Sequence, residues 1–118
     1  MSAPVRYVVL HHTGHGEPHF DLMIEAEAGG ALMTWRLPTW PVDRPMPVER
    51  LADHRRAYLD YEGPVSRGRG EVRRVAAGTV TLAARPNETD VLELTFNNAP
   101  RLLLLSPPTH AWSLRPAG

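Results

Sequence analysis

The chain has 118 residues, 42% of them hydrophobic and 22% charged, with thirteen basic side chains balanced by thirteen acidic ones. That suits one globular domain, residues 1–118, with one core, and it gives no bulk attraction for a polyanion. There is no cysteine, so disulfides and thiolate ligands are excluded and any metal must rest on His and carboxylate. No apolar run reaches the roughly 18 residues that span a bilayer. The start Met1-Ser2-Ala3-Pro4 has no charged-then-apolar signal pattern, so the expected setting is cytoplasmic, without a membrane partner.

All thirteen basic residues are Arg. Genome composition is the simple cause; phosphate recognition by the planar guanidinium fork is the functional one. Twelve prolines and nine glycines argue against long helices and for short strands joined by turns.

In chain order, Arg6 to Leu10 is β-branched and apolar enough for a buried strand. His11 to Pro18 reads as a loop. From His19 to Glu25 the residues alternate, with His19, Asp21, Met23 and Glu25 on one face and Phe20, Leu22 and Ile24 on the other. The apolar face belongs to the core; the His19 face points to solvent or a cleft. Gly29-Gly30 marks a hairpin turn. Ala31 to Leu37 is a third strand, stopped by Pro38. Thr39 to Pro47, rich in proline, is expected to be an extended surface loop. Val48 to Leu59 lacks Gly and Pro and is expected to hold a short helical turn over Glu49–His54. Ser66 to Gly70 is a basic, glycine-rich loop. Glu71–Val75, Gly78–Ala84, Val91–Phe96, Arg101–Leu105 and Trp112–Arg115 complete about eight short strands. The pattern predicts a mainly β fold: a small closed or partly open β-barrel with one short helical segment.

Four of the six histidines and three acids fall within His11–Glu25. His19 and Asp21 are two apart, so on a strand both side chains point the same way and can meet one divalent ion. The adjacent strand end offers His11 or His12 as a third ligand; neighbours on a strand face opposite sides, so one of the two reaches the site. Such a set leaves coordination positions open for water or substrate, as hydrolysis requires, and nitrogen and oxygen donors admit Mn, Zn, Fe or Co. His15, Glu17 and Glu25 read as neighbours, with Glu25 able to support a ligand from behind. A second cluster, Asp53-His54-Arg55-Arg56 on to Tyr58 and Gly63, puts His54 and Tyr58 on one face of a helical turn, and protonated imidazole, phenol and Arg together suit an anion.

These segments resemble the 3′-phosphoesterase domain of bacterial DNA ligase D and the short stand-alone proteins that carry it. Tyr7–His12 resembles the family's first strand, which ends in a metal-binding His. His19-Phe20-Asp21 resembles its His-aromatic-Asp strand, Thr34–Pro38 its Trp-containing strand, Asp53-His54…Tyr58…Glu62-Gly63 its Asp-His…Tyr…Glu-Gly segment, and Ser66–Val80 its glycine-rich loop and following strand. The resemblance implies a barrel whose concave side holds a Mn-dependent phosphodiesterase and phosphomonoesterase that trims nucleic-acid 3′ ends. It implies His12, His19 and Asp21 as metal ligands, with Mn the expected ion and Zn or Co as others. His54 and Tyr58 would contact the scissile phosphate. Implied partners are DNA or primer-template 3′ ends and a separate ligase or polymerase. Three departures stand out. The family Arg two positions after the strand Asp is Met23 here. The turn from His12 to His19 is one residue longer than usual. The segment before His54 is shorter, which leaves a second family Arg without a direct counterpart; Arg50 is the nearest candidate, with Arg36 and Arg6 as other replacements on strands. The alternatives are a metal-bearing module that binds DNA ends without cleaving them, with Arg67, Arg69, Arg73 and Arg74 supplying phosphate contacts, and a cupin-like metalloenzyme.

Overall fold

In the computed structural model, residues 3–106 and 111–118 are described; Met1 and Ser2, which belong to the segment read above for a signal pattern, lie outside them. The chain is mainly β. Its strands are β1 (Val5–Thr13), β2 (His19–Glu25), β3 (Leu32–Leu37), β4 (Met46–Pro47), β5 (Glu49–His54), β6 (Gly63–Pro64), β7 (Glu71–Arg85), β8 (Glu88–Phe96), β9 (Leu102–Leu105) and β10 (Ser113–Pro116), with one 3-10 turn at Arg56–Leu59. All pairings are antiparallel, in the order β4-β10-β9-β8-β7-β1-β2-β3-β5, with β6 added beside β7. The two strands at the ends of that order, β4 and β5, are consecutive in the chain. Val48 alone separates them, and its N–H donates to Trp112 O at 3.0 Å. The sheet therefore curls into a nearly closed barrel, which leaves little open edge for pairing with other chains.

The run Tyr7-Val8-Val9-Leu10 is apolar at every position because β1 is covered on both faces. Tyr7 and Val9 point into the barrel with Leu22, Ile24, Trp35 and Leu37. Val8 and Leu10 point the other way and join Met23, Leu32, Leu59 and Val72 in a second, smaller core. The 3-10 turn supplies Leu59 to that core, with Tyr58 and Val65 packed against it. A flap of chain from His54 to Gly70 thus lies over the outer face of β1 and β2.

Three expectations change. Glu49–His54 is strand, not helical turn, because Leu51 and Arg50 pair with Thr34 and Trp35 of β3; the helical turn comes just after, at Arg56–Leu59. Thr39–Pro47 is not a surface loop throughout, since Val42 and Met46 are 6% exposed and plug the barrel. The pairs expected as Glu71–Val75 and Gly78–Ala84 form one strand. Its bulge, where Leu10 opposes Arg74 and Val9 opposes Ala76, leaves Val75 as the extra residue and turns it outward.

Candidate metal centre

The centre begins with register. β1 and β2 pair so that His12 lies directly opposite His19 and Leu10 opposite Asp21. Opposed residues of an antiparallel pair share a face, so His12, His19 and Asp21 project together. β1 extends through His12 to Thr13, which makes a strand end of what the sequence suggested was loop and holds His12 on the frame. The His12 and His19 ring centroids are 4.8 Å apart. Ligand atoms of the three residues lie within 4.8 Å of one another.

Backbone carbonyls set both imidazoles. His19 Nδ1 lies 3.0 Å from Glu17 O, and His12 Nε2 lies 2.7 Å from Arg69 O. A carbonyl only accepts, so those nitrogens carry the protons. The lone pairs are left on His19 Nε2 and His12 Nδ1, which face Asp21 at 3.3 and 3.7 Å. Asp21 is 3% exposed, and its Oδ1 is buried with no hydrogen-bond partner among the described residues. Burial pushes the Asp21 carboxyl above its usual range, against the pull of His19, His12, His54 and Arg36. Three acceptors thus converge on one point, and such a point could hold a cation. The donor set fits a divalent ion taking nitrogen and oxygen ligands.

The other predicted residues are placed as follows. His11 is on the opposite face, stacked on Phe20 with centroids 4.5 Å apart. His15 is exposed, its ring 6.4 Å from that of His12. Glu25 was expected to be solvated or to back a ligand; it does neither. It is 3% exposed and accepts from the Arg6 N–H at 2.5 Å, the Gly29 N–H at 3.1 Å and the Arg56 guanidinium, so it tethers the flap. Glu17 contributes its carbonyl rather than its carboxylate.

A cleft of about 290 Å³ opens between the β1–β2 face and the flap. Its concavity is made by the flap against the outer barrel wall, not by the barrel's bore. His12, Asp21 and Met23 line one side; His54, Arg55, Tyr58 and Arg69 line the other. His54 donates Nδ1–H to Ala52 O at 2.9 Å, which leaves Nε2 without a hydrogen-bond partner among the described residues. Its ring meets Tyr58 edge to face at 5.7 Å. The two are neighbours as the sequence suggested, though across the junction of β5 with the 3-10 turn rather than along one helical turn.

Arg50 does not join them. Its guanidinium stacks 5.0 Å from the Trp35 ring and bonds Asp53 at 2.9 Å, and it does not line the cleft. Arg6 pairs with Asp60 at 2.9 Å. Arg36 lies across from Asp21 on β3 and borders a separate hollow with His19 and Glu17. The cleft cations are instead Arg69 and Arg55. Arg69 is held by Ser66. Arg55, which the sequence placed in the anion-binding cluster without singling it out, accepts the Tyr58 N–H at its carbonyl, while its guanidinium has no hydrogen-bond or ion-pair partner among the described residues. The Arg55-Arg56 pair was the available signal: one guanidinium anchors the flap on Glu25, the other is left for the cleft. No protein-family model matches the chain, and no curated protein matches it.

Proposed function

We propose that the chain is a divalent-metal-dependent phosphoesterase acting on nucleic-acid 3′ ends, as the resemblance to the DNA ligase D 3′-phosphoesterase domain suggests, with Mn the expected ion. The observation that carries this reading is the facing of two unlike walls across one cleft. One wall, lined by His12 and Asp21, carries three convergent acceptors: His12 Nδ1, the orphaned Asp21 Oδ1 and, behind them, Nε2 of His19, whose ring borders the neighbouring hollow; the other presents His54, Tyr58, Arg55 and Arg69. The first suits a cation, the second an anion, and a phosphate ester held by a metal needs both. A divalent ion bound by the three ligands supplies Lewis acidity for a phosphoryl oxygen and for a water molecule. The chain's own groups hold the ester in register. Arg55 and Arg69 offer guanidinium N–H groups to non-bridging oxygens, and Tyr58 offers its hydroxyl. His54, with Nδ1–H fixed on Ala52 O, can carry a proton on Nε2 to donate to the phosphate or to the departing oxygen.

The test is release of inorganic phosphate from a 3′-phosphorylated primer-template. The reading predicts release with Mn²⁺ and its loss in His19→Ala and Asp21→Ala. Equal turnover by those variants contradicts it.

A second reading, a metal-bearing module that binds ends without cleaving them, is favoured by Met23. That side chain is 1% exposed and lines the cleft where the resembling family has an Arg. Salt-sensitive binding of nicked or primer-template DNA, with no product formed, supports it.

A further inference from the structure

Beside the metal cleft lies a second pocket of about 220 Å³, bordered by Ala57, Tyr58, Tyr61, Pro64 and Val65. It shares Arg55, Tyr58 and Val65 with the cleft, so the two spaces meet along a common wall. Tyr58 and Tyr61 stand perpendicular, at 89° with centroids 5.9 Å apart. A flat guest in that corner can lie on one ring's face and meet the other ring's edge, the two favoured aromatic geometries. Tyr61 is fixed in advance. Its hydroxyl donates to Pro64 O. Gly63, at φ +132°, passes so close that a Cβ there would sit 3.3 Å from the Tyr61 hydroxyl oxygen. Even so, Tyr61 remains 37% exposed, one of two large hydrophobic residues so open among those described. No carboxylate borders the pocket, and Arg55, whose guanidinium has no ion-pair partner among the described residues, stands on the shared wall; its positive charge disfavours a cationic guest on the tyrosine faces.

Resting on the phosphoesterase reading, we propose that this pocket seats the base of the terminal nucleotide while its phosphate occupies the metal cleft, and that Tyr61 is the residue that selects base-bearing phosphate esters. The observations favour a nucleobase because the corner is aromatic and perpendicular, adjoins an anion-binding wall and carries no negative charge. Base–aromatic stacking is tolerant of base identity, so the selection is for the presence of a base rather than its kind.

The experiment compares two single-stranded oligonucleotides ending in a 3′-phosphate. One has a normal terminal nucleotide and the other an abasic tetrahydrofuran residue; neither has a template, so base pairing plays no part. With Mn²⁺, the protein is expected to show a KM about tenfold lower for the base-bearing end, the lower part of the range for a stacked base. Tyr61→Leu, which keeps apolar bulk and loses the ring, erases that preference, and Tyr61→Phe retains it. Thermal melts establish that the variants are folded. Equal KM values for the two ends, or a Tyr61→Leu variant with the full preference, overturn the proposal. The same ends are compared by fluorescence anisotropy. Absence of phosphate release from both would then count against the phosphoesterase reading, while the ratio of dissociation constants still decides the base seat.

Discussion

The carbonyl oxygen of Arg69 accepts a 2.7 Å hydrogen bond from His12 Nε2, across 57 positions of sequence. It points His12 Nδ1 at Asp21, so a loop far along the chain fixes one residue of the candidate metal centre. Gly70 makes the approach possible. At φ +79°, its missing Cβ would lie 2.0 Å from Thr13 O, a distance no side chain tolerates. Gly70→Ala is therefore expected to lift the loop away from Thr13 and free the His12 ring. By analogy with other outer-shell losses, Mn²⁺ affinity should fall by roughly 10–100-fold. Calorimetric titration of the variant checks this; wild-type affinity would show that the carbonyl does not hold His12.

Asp21 carries the opposite kind of cost. Its Oδ1 is buried without a partner among the described residues, so the carboxylate weighs against the metal-free fold. Asp21→Asn should abolish Mn²⁺ binding and yet stabilise the metal-free protein, by about 1–3 kcal/mol, the usual penalty of a buried unsatisfied group. Thermal melts of both proteins in a chelator test it; a less stable Asn variant would mean that Asp21 is already satisfied without metal.

Glu25 sets an acid limit. Burial alone would raise its carboxyl, but the Arg6 N–H, the Arg56 guanidinium and the Gly29 N–H together hold it below the usual value of 4.5. A carboxyl depressed in the folded state contributes stability that is full above its unfolded pKa and disappears as pH falls through its folded one. Wild-type stability should therefore decline as pH drops below about 4.5, the unfolded value. Glu25→Gln should lose most of this acid dependence and be less stable at neutral pH. Denaturant melts from pH 3 to 7 give the comparison, and parallel pH profiles for the two proteins would refute the assignment.

Met23 is both floor of the cleft and member of the smaller core. In Met23→Arg the methylene stem can occupy the Met volume while the guanidinium emerges into the cleft. We expect stability to fall by about 1–3 kcal/mol through overpacking. KM for a 3′-phosphorylated end should fall roughly tenfold, as for one added charge-assisted hydrogen bond. An unchanged KM in a folded variant would show that position 23 does not reach the phosphate.

Much of the candidate metal centre was legible because strand geometry is simple. Period-2 alternation put His19 and Asp21 on one face, and because adjacent residues of a strand face opposite sides, only one of His11 and His12 could reach them; His12 is the one beside them, while His11 stacks on Phe20. The barrel was legible from short strands separated by Pro and Gly. What escaped was everything set by the second layer. Nothing local says that His54–Gly70 folds back over β1 and β2, so Glu25 looked solvated, and nothing told Arg55 from Arg56 within the anion-binding cluster. Arg50 seemed a phosphate ligand because it stands near His54 in sequence. The two are four apart and would share a face on a regular strand, but the irregularity in the β3–β5 pairing sets His54 opposite Leu32 and Arg50 opposite Trp35, which face different cores, so Arg50 stacks on Trp35 and turns away. Closure of the barrel through Val48 depends on a contact with Trp112, 64 positions away, which no local pattern carries.

The central claim is that His12, His19 and Asp21 together hold one divalent ion. Anomalous scattering from a crystal of the protein grown with Mn²⁺ tests it most directly. The account predicts a single strong peak between His12 Nδ1, His19 Nε2 and the Asp21 carboxylate, lost in Asp21→Asn. A crystal at saturating Mn²⁺ with no peak there, or with the ion held by other residues, would contradict it.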